Sequence, residues 1–175
     1  MWYQRSSSIW SEQRSLSCAS LNVTTIQLLG KSVNLQVSKM SKDYDDIIID
    51  CAGRDTMSLR SSLSIANVFL TPFRPRSIDI WTLMMVKQTI EELLPFNPSI
   101  KCFSILNAAD SSGQDNEDAH SILKECSEIT LIPHPICSRK AFPNAITEGL
   151  SVIELKKKDQ KAVDEIMRVH DMIFV

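Results

Sequence analysis

Glycine is scarce in this chain, with four residues among 175. A phosphate cradle is built from several glycines whose backbone N–H groups close on the anion. The one Gly-Lys-Ser triplet, Gly30-Lys31-Ser32, has no such company. The full loop pattern needs a glycine five residues before Gly30, where Thr25 stands, so the triplet is not read as a phosphate loop. The five cysteines, Cys18, Cys51, Cys102, Cys126 and Cys137, are odd in number and scattered, without a CxxC pair. That pattern excludes a disulfide framework and zinc-ligand spacing, and predicts inert, reduced thiols in a cytosolic protein. The three histidines, His120, His134 and His170, form no HExxH pair, and no G-x-S-x-G elbow occurs. Zinc-peptidase and serine-hydrolase chemistry are therefore set aside. His134, between two prolines, reads as a loop residue. Apolar runs fall far short of the ~20 residues of a membrane-spanning helix. Met1-Trp2-Tyr3-Gln4-Arg5-Ser6 lacks the apolar stretch of a signal peptide. The net charge of −2 supplies no global basic field, so any nucleic-acid surface must be local.

What is present is an ordinary globular composition, 43% hydrophobic and 23% charged, long enough for one domain over residues 1–175. Residues 1–20 are polar, serine-rich and expected to be weakly ordered, with a short helix over Ser6 to Arg14 that turns Ile9 and Trp10 inward. The chain is organised around Tyr44 to Asp55. Three isoleucines, Ile47 to Ile49, read as a strand buried on both faces, as in parallel sheets. Asp50 closes that strand, where a carboxylate can hold Mg²⁺ through water. Gly53 follows, and without a Cβ it lets a backbone N–H approach a phosphate. The plainer role for Asp50 is to cap the next helix.

Further elements follow in alternation. Asn22 to Leu29 reads as a strand. Lys31 to Lys42 reads as a helix through Val33, Val37 and Met40, although Val33, Leu35 and Val37 also alternate as in a strand. Thr56 to Ala66 is a helix with Met57, Leu59 or Leu63, and Ile65 inward. Asn67 to Pro72 is a strand. Ile78 to Leu94 is a helix capped by Ser77, with Trp81, Met84 and Met85 expected in the core. Ile100 to Leu106 is a strand followed by Asn107. Glu117 to Cys126 is a helix with Ala119, Ile122 and Leu123 inward. Ile129 to Pro133 is a strand. A short helix over Ala141 to Glu148 is stopped by Gly149. Asp159 caps a last helix with Val163, Ile166, Met167 and His170 on one face. This order predicts an α/β fold with a mostly parallel sheet flanked by helices. Asp50, Gly53, Arg74, Asn107 and Pro133 all end or follow strands, where open α/β sheets bind ligands. Composition does not name that ligand.

From Tyr44 to Val175 the chain resembles the ParA/MinD family of deviant P-loop ATPases, and among them the short plasmid-partition ParA proteins. Asp45-Asp46-Ile47-Ile48-Ile49-Asp50-Cys51-Ala52-Gly53 looks like the family's Walker B strand and switch II. Asn67 to Pro75, with Ser77-Ile78-Asp79-Ile80-Trp81, looks like its P-x-x-P-s-x-x-D-x-W segment. Ile105-Leu106-Asn107 looks like the strand whose asparagine reads adenine. Arg139-Lys140-Ala141-Phe142, then Glu148 to Val152 and Glu154, looks like the late R-x-A-F…G-x-S-V-x-E signature. The resemblance implies MgATP as cofactor. Asp50 would hold Mg²⁺ through water, and Gly53, Asn107 and Pro133 would line the nucleotide. It implies an ATP-dependent homodimer, or a heterodimer with an intact ParA. It also implies non-specific DNA binding through Arg139 and Lys140, with Lys156, Lys157 and Lys158 as a second patch or a solvated helix start. A ParB-type partner would stimulate hydrolysis, in a cytoplasmic, nucleoid-associated protein without membrane contact.

The departure from the family is as informative. Its opening strand with the K-G-G-x-G-K-T/S loop, and its D-x-D-P-Q strand, have no counterpart here. Gln4 to Trp10 looks like sequence just downstream of D-x-D-P-Q. A chain starting after the nucleotide cradle is expected to bind ATP weakly or not at all and to be less stable alone, because phosphoryl transfer rests on positioned N–H groups, lysine and Mg²⁺. Three other readings stand beside this one: a catalytically dead module that modulates an intact ParA, a non-functional gene remnant, and a MinD-like membrane-associated ATPase using its last helix. For that helix, core packing is preferred.

Overall fold

The computed structural model describes residues 6–17, 23–51, 57–75, 77–111, 113–124 and 126–174, without the side chains of residues 77–80. In chain order the elements are α1 (Ser6–Leu16), α2 (Ser32–Met40), α3 (Met57–Leu63), β1 (Val68–Phe73), α4 (Ser77–Leu93), β2 (Lys101–Ala109), α5 (Gln114–Lys124), β3 (Thr130–Leu131), β4 (Ile136–Cys137), α6 (Ala141–Thr147) and α7 (Gln160–Phe174). They fall into two compact units, Leu28–Pro135 and Met1–Gln27 with Ile136–Val175.

The Leu28–Pro135 unit is an α/β layer. β1, β2 and β3 are parallel and adjacent in that order, with Phe73 beside Leu106 and Ser104 beside Leu131. Parallel neighbours need a crossover, and α4 and α5 supply the two. Cys102 and Leu106 of β2, Phe73 of β1, Leu83 and Ile90 of α4, and Ala119 and Leu123 of α5 form one apolar cluster. Since Cys102 and Leu106 share a face, both helices cover that face. Leu83 and Leu123 are each 1% exposed, and each burial contributes about 2 kcal/mol. Asn97, in the turn that ends α4, donates to the carbonyls of Leu63 and Ala66 at 2.9 Å and so satisfies the open end of α3.

The other unit gathers α1, β4, α6 and α7. Its core is Ala141, Ala145, Val152, Leu155 and Ala162. Gly149 has φ +69 and ends α6 as expected, with Leu150 N–H donating to Ala145 O at 2.9 Å. Asp159 caps α7 by accepting from the N–H groups of Lys161 and Ala162.

Two expected strands enter no ladder. Residues 23–29 and 44–51 run without strand pairing, and Ile48 is 84% exposed. A parallel strand is held by neighbours on its edges. Among the described residues β1 pairs with β2 alone, and the isoleucine run does not ladder onto its other edge. The helix faces also need correction. α4 buries Leu83 and Ile90, while Trp81, Met84 and Met85 are exposed. The helix is apolar on nearly every side, so periodicity did not select the stripe. Ile9 of α1, Met57 of α3, Ile122 of α5, and Met167 and His170 of α7 face solvent too. In α7 the buried residues are Ala162, Glu165 and Val169. A charged residue replaces the expected methionine there because it is paired.

Candidate functional site at the carboxyl end of the sheet

The parallel register brings three of the sequence-predicted residues to one end of the sheet. Arg74 follows β1, Asn107 lies near the end of β2, and Pro133 follows β3. Arg74 and Pro133 are exposed and Asn107 is half-buried. Asn107 sits within β2 rather than after it, because the strand continues to Ala109. Within the strand, Ala108 has a φ of +51, the one positive value among the described non-glycine residues. An alanine in the left-handed region carries local strain of the kind found at ligand-binding turns.

At this end an open depression of about 310 Å³ is lined by Leu106, Asn116, Glu117, His120, Ser121 and Pro135. Its walls come from the end of β2, the first turns of α5 and the loop after β3. Asn116 Nδ2 donates to Asp110 O at 2.9 Å, while its Oδ1 is buried without a partner. Ser121 Oγ is taken by Glu117 O at 2.9 Å. Apolar walls with one unpaired amide oxygen, a carboxylate and an imidazole suit a small planar group that donates a hydrogen bond. Asn116 and His120 were missed in the sequence. The only signal was a polar run after Gly113, which is equally typical of a solvated helix start.

Asp50 is exposed at the end of the unladdered segment, and Gly53 lies outside the described residues. Among the described residues no three His, Cys, Asp or Glu side chains converge as a metal site. Mg²⁺ asks less, one or two carboxylates beside substrate phosphates. The phosphate side is what fails. Gly30 N–H donates to Ser58 Oγ at 2.8 Å, and Ser32 Oγ donates to Leu29 O at 2.7 Å. The Gly30-Lys31-Ser32 turn is closed on itself and opens α2 without cradling an anion. This triplet therefore does not fit the triphosphate of ATP.

In the second unit, Arg139 is not a free surface cation. It reaches Glu165 through Nη2 at 2.7 Å and through Nε at 3.0 and 3.1 Å, and Cys137 N–H donates to the same carboxylate at 3.1 Å. Burial pushes the Glu165 carboxyl up, but the Arg139 and Cys137 bonds outweigh it and leave it lowered. The hydrogen bond to Glu165 raises the Arg139 guanidinium. The Arg139 guanidinium is thus engaged with Glu165 within the unit. Lys140, Lys156, Lys157 and Lys158 are exposed. Burial raises the Cys102 and Cys137 thiols, in keeping with unreactive cysteines.

The same unit holds a clamp that sequence reading passed over. Arg14, 5% exposed, donates to both oxygens of Glu154 and to Gly149 O. Its guanidinium lies 5.3 Å from the centre of the Trp10 ring, and Trp10 Nε1 donates to Leu150 O at 3.3 Å. The hydrogen bond from Arg14, then the Ser151 N–H, bring the Glu154 carboxyl down to about 2.

The family model described as ATPase MipZ matches residues 15–111, more than half of the chain. A relative from Halothiobacillus neapolitanus, the maintenance of carboxysome distribution protein A, is 23% identical over 137 residues. The alignment covers 78% of this chain and 62% of that protein, so the chain spans less than two thirds of the curated relative's length. Among the described residues no helix is long and apolar enough to cross a membrane.

Proposed function

The chain belongs to the MipZ ATPase family, and on that premise we propose that it is a ParA/MinD-type positioning subunit acting in plasmid or chromosome segregation. In this reading it joins a homodimer, or a heterodimer with an intact relative, in response to ATP. It binds DNA non-specifically through Lys140 and the Lys156 to Lys158 run, and a ParB-type partner stimulates hydrolysis by the assembly. The relative named for carboxysome distribution supports the broader role of positioning a cargo.

The observation that supports this reading best is the convergence of Arg74, Asn107 and Pro133 at the carboxyl ends of three adjacent parallel strands, beside the depression at Asn116. Ligands of open α/β sheets sit at that end. The base side of a nucleotide site fits there, and the Gly30-Lys31-Ser32 triplet supplies no phosphate cradle. A second reading, a binding module without catalysis of its own, draws on the Gly30 N–H already being spent on Ser58.

A MgATP titration of the purified chain beside Asp50→Ala tests both. We expect no saturable hydrolysis by the chain alone, and turnover only when an intact relative is added. Turnover by the chain alone that is lost in Asp50→Ala would refute the missing-cradle reading. Failure to co-purify with any intact relative, with or without ATP, would remove the subunit reading.

A further inference from the structure

The side of α4 turned away from the core carries Trp81, Met84 and Met85, at 75%, 66% and 65% exposure. They stand at i, i+3 and i+4 and form one stripe, continued a turn later by exposed Gln88. Isolated exposed apolar residues are ordinary, but tryptophan and methionine side by side are the types enriched in interface cores. The middle of the stripe holds no charge. Its ends do, and with opposite sign. Exposed Arg74 precedes the helix, while exposed Glu91 and Glu92 lie in its last turn.

We infer that this stripe is a self-association surface, on which α4 packs antiparallel against α4 of a second copy about a two-fold axis between Met84 and Met85. The inference does not rest on the nucleotide reading. An isologous contact pairs residue i with j and j with i. An axis at that point sets Met84 against the second copy's Met85 and Trp81 against its Gln88. Each acidic end then meets the other helix's start, where Arg74 and the positive end of the macrodipole lie. A parallel pairing would set acid against acid. The stripe is therefore complementary to its own reverse, which favours a second copy over an unrelated partner. In the single chain Glu91 is 3.9 Å from Lys87 and Glu92 is 2.9 Å from Arg60. Such exposed pairs are weak and exchange partners readily.

Sedimentation equilibrium of the full 175-residue chain without nucleotide, from micromolar to hundreds of micromolar, tests this directly. A reversible monomer–dimer equilibrium is expected, weakened about tenfold or more by Met85→Glu, which places a carboxylate at the two-fold axis. Arg74→Glu and the double variant Glu91→Lys/Glu92→Lys should each self-associate poorly. Their mixture should form a heterodimer, because every charged contact is then restored. This swap decides the matter even if Met85→Glu fails to fold. A chain that stays monomeric, a dimer indifferent to these changes, a mixture with no preference for the heterodimer, or a dimer seen only with MgATP would each overturn the inference.

Discussion

Arg14 and Glu154, 140 residues apart in the chain, meet as a forked ion pair with both N–O distances at 2.9 Å. The pair ties α1 to the turn that follows α6, so helix and turn hold each other. Fork geometry matches guanidinium to carboxylate with two parallel bonds, and burial protects it from solvent screening.

Removing one partner should cost more than the pair itself contributes. Arg14→Ala leaves Glu154 partly buried with one of its two sources of hydrogen bonds gone, and a loss of about 2–3 kcal/mol is expected in urea unfolding. Gly149→Ala should be at least as damaging. Its φ of +69 is unfavourable for alanine, and the new Cβ would stand 2.4 Å from the backbone nitrogen of Arg14. A Gly149→Ala chain as stable as the parent would show that α1 does not dock there.

The same pair predicts acid sensitivity. In the folded chain the Glu154 carboxyl titrates at about 2, below its ordinary 4.5, so the folded state binds that proton less readily than the unfolded one. Its contribution is complete above about pH 5 and is lost as pH falls towards 2. Urea midpoints measured across that window should fall steeply in the parent and less so in Arg14→Ala. Equal slopes would argue against the pair. Glu165, lowered by Arg139 and Cys137, adds to the fall in the same direction.

Thr71 and Ser104 are register neighbours on β1 and β2, and both hydroxyls are buried without hydrogen-bond partners. A buried hydroxyl without a partner forfeits its hydration for nothing in return. Thr71→Val keeps the shape and removes the polar atom, so a gain of about 1 kcal/mol in thermal or urea unfolding is expected. Ser104→Ala should be neutral or mildly stabilising. Clear destabilisation by both would mean that the hydroxyls hold a bond of their own.

The lysines separate a surface role from a structural one. Replacing Lys156, Lys157 and Lys158 by alanine should weaken binding to non-specific duplex DNA and lower its salt slope, with little change in unfolding. Arg139→Ala should do the reverse, lowering stability because Glu165 loses its partner. Fluorescence anisotropy at two salt concentrations, beside urea melts, distinguishes the two.

The alternation of β-branched runs with amphipathic segments determined, from sequence alone, that the chain builds parallel strands joined by helices. β1, α4, β2, α5 and β3 fall close to the expected positions, since apolar periodicity and proline or glycine stops are local signals. Asp159 and Gly149 were legible for the same reason, each acting within a few residues of its own position. Tertiary structure decided what periodicity leaves open. An isoleucine run becomes a strand only where another strand pairs with it, and residues 44–51 pair with none among the described residues. A helix apolar all round, such as α4, has its inward stripe chosen by the sheet beneath it, which took Leu83 and Ile90 and left Trp81 outside. Arg139 reads as a surface cation, and Arg14 as nothing more than the end of a helix, until the fold sets Glu165 and Glu154 opposite them. Ion pairing across such sequence separations depends on where the helices pack, and no local pattern encodes that.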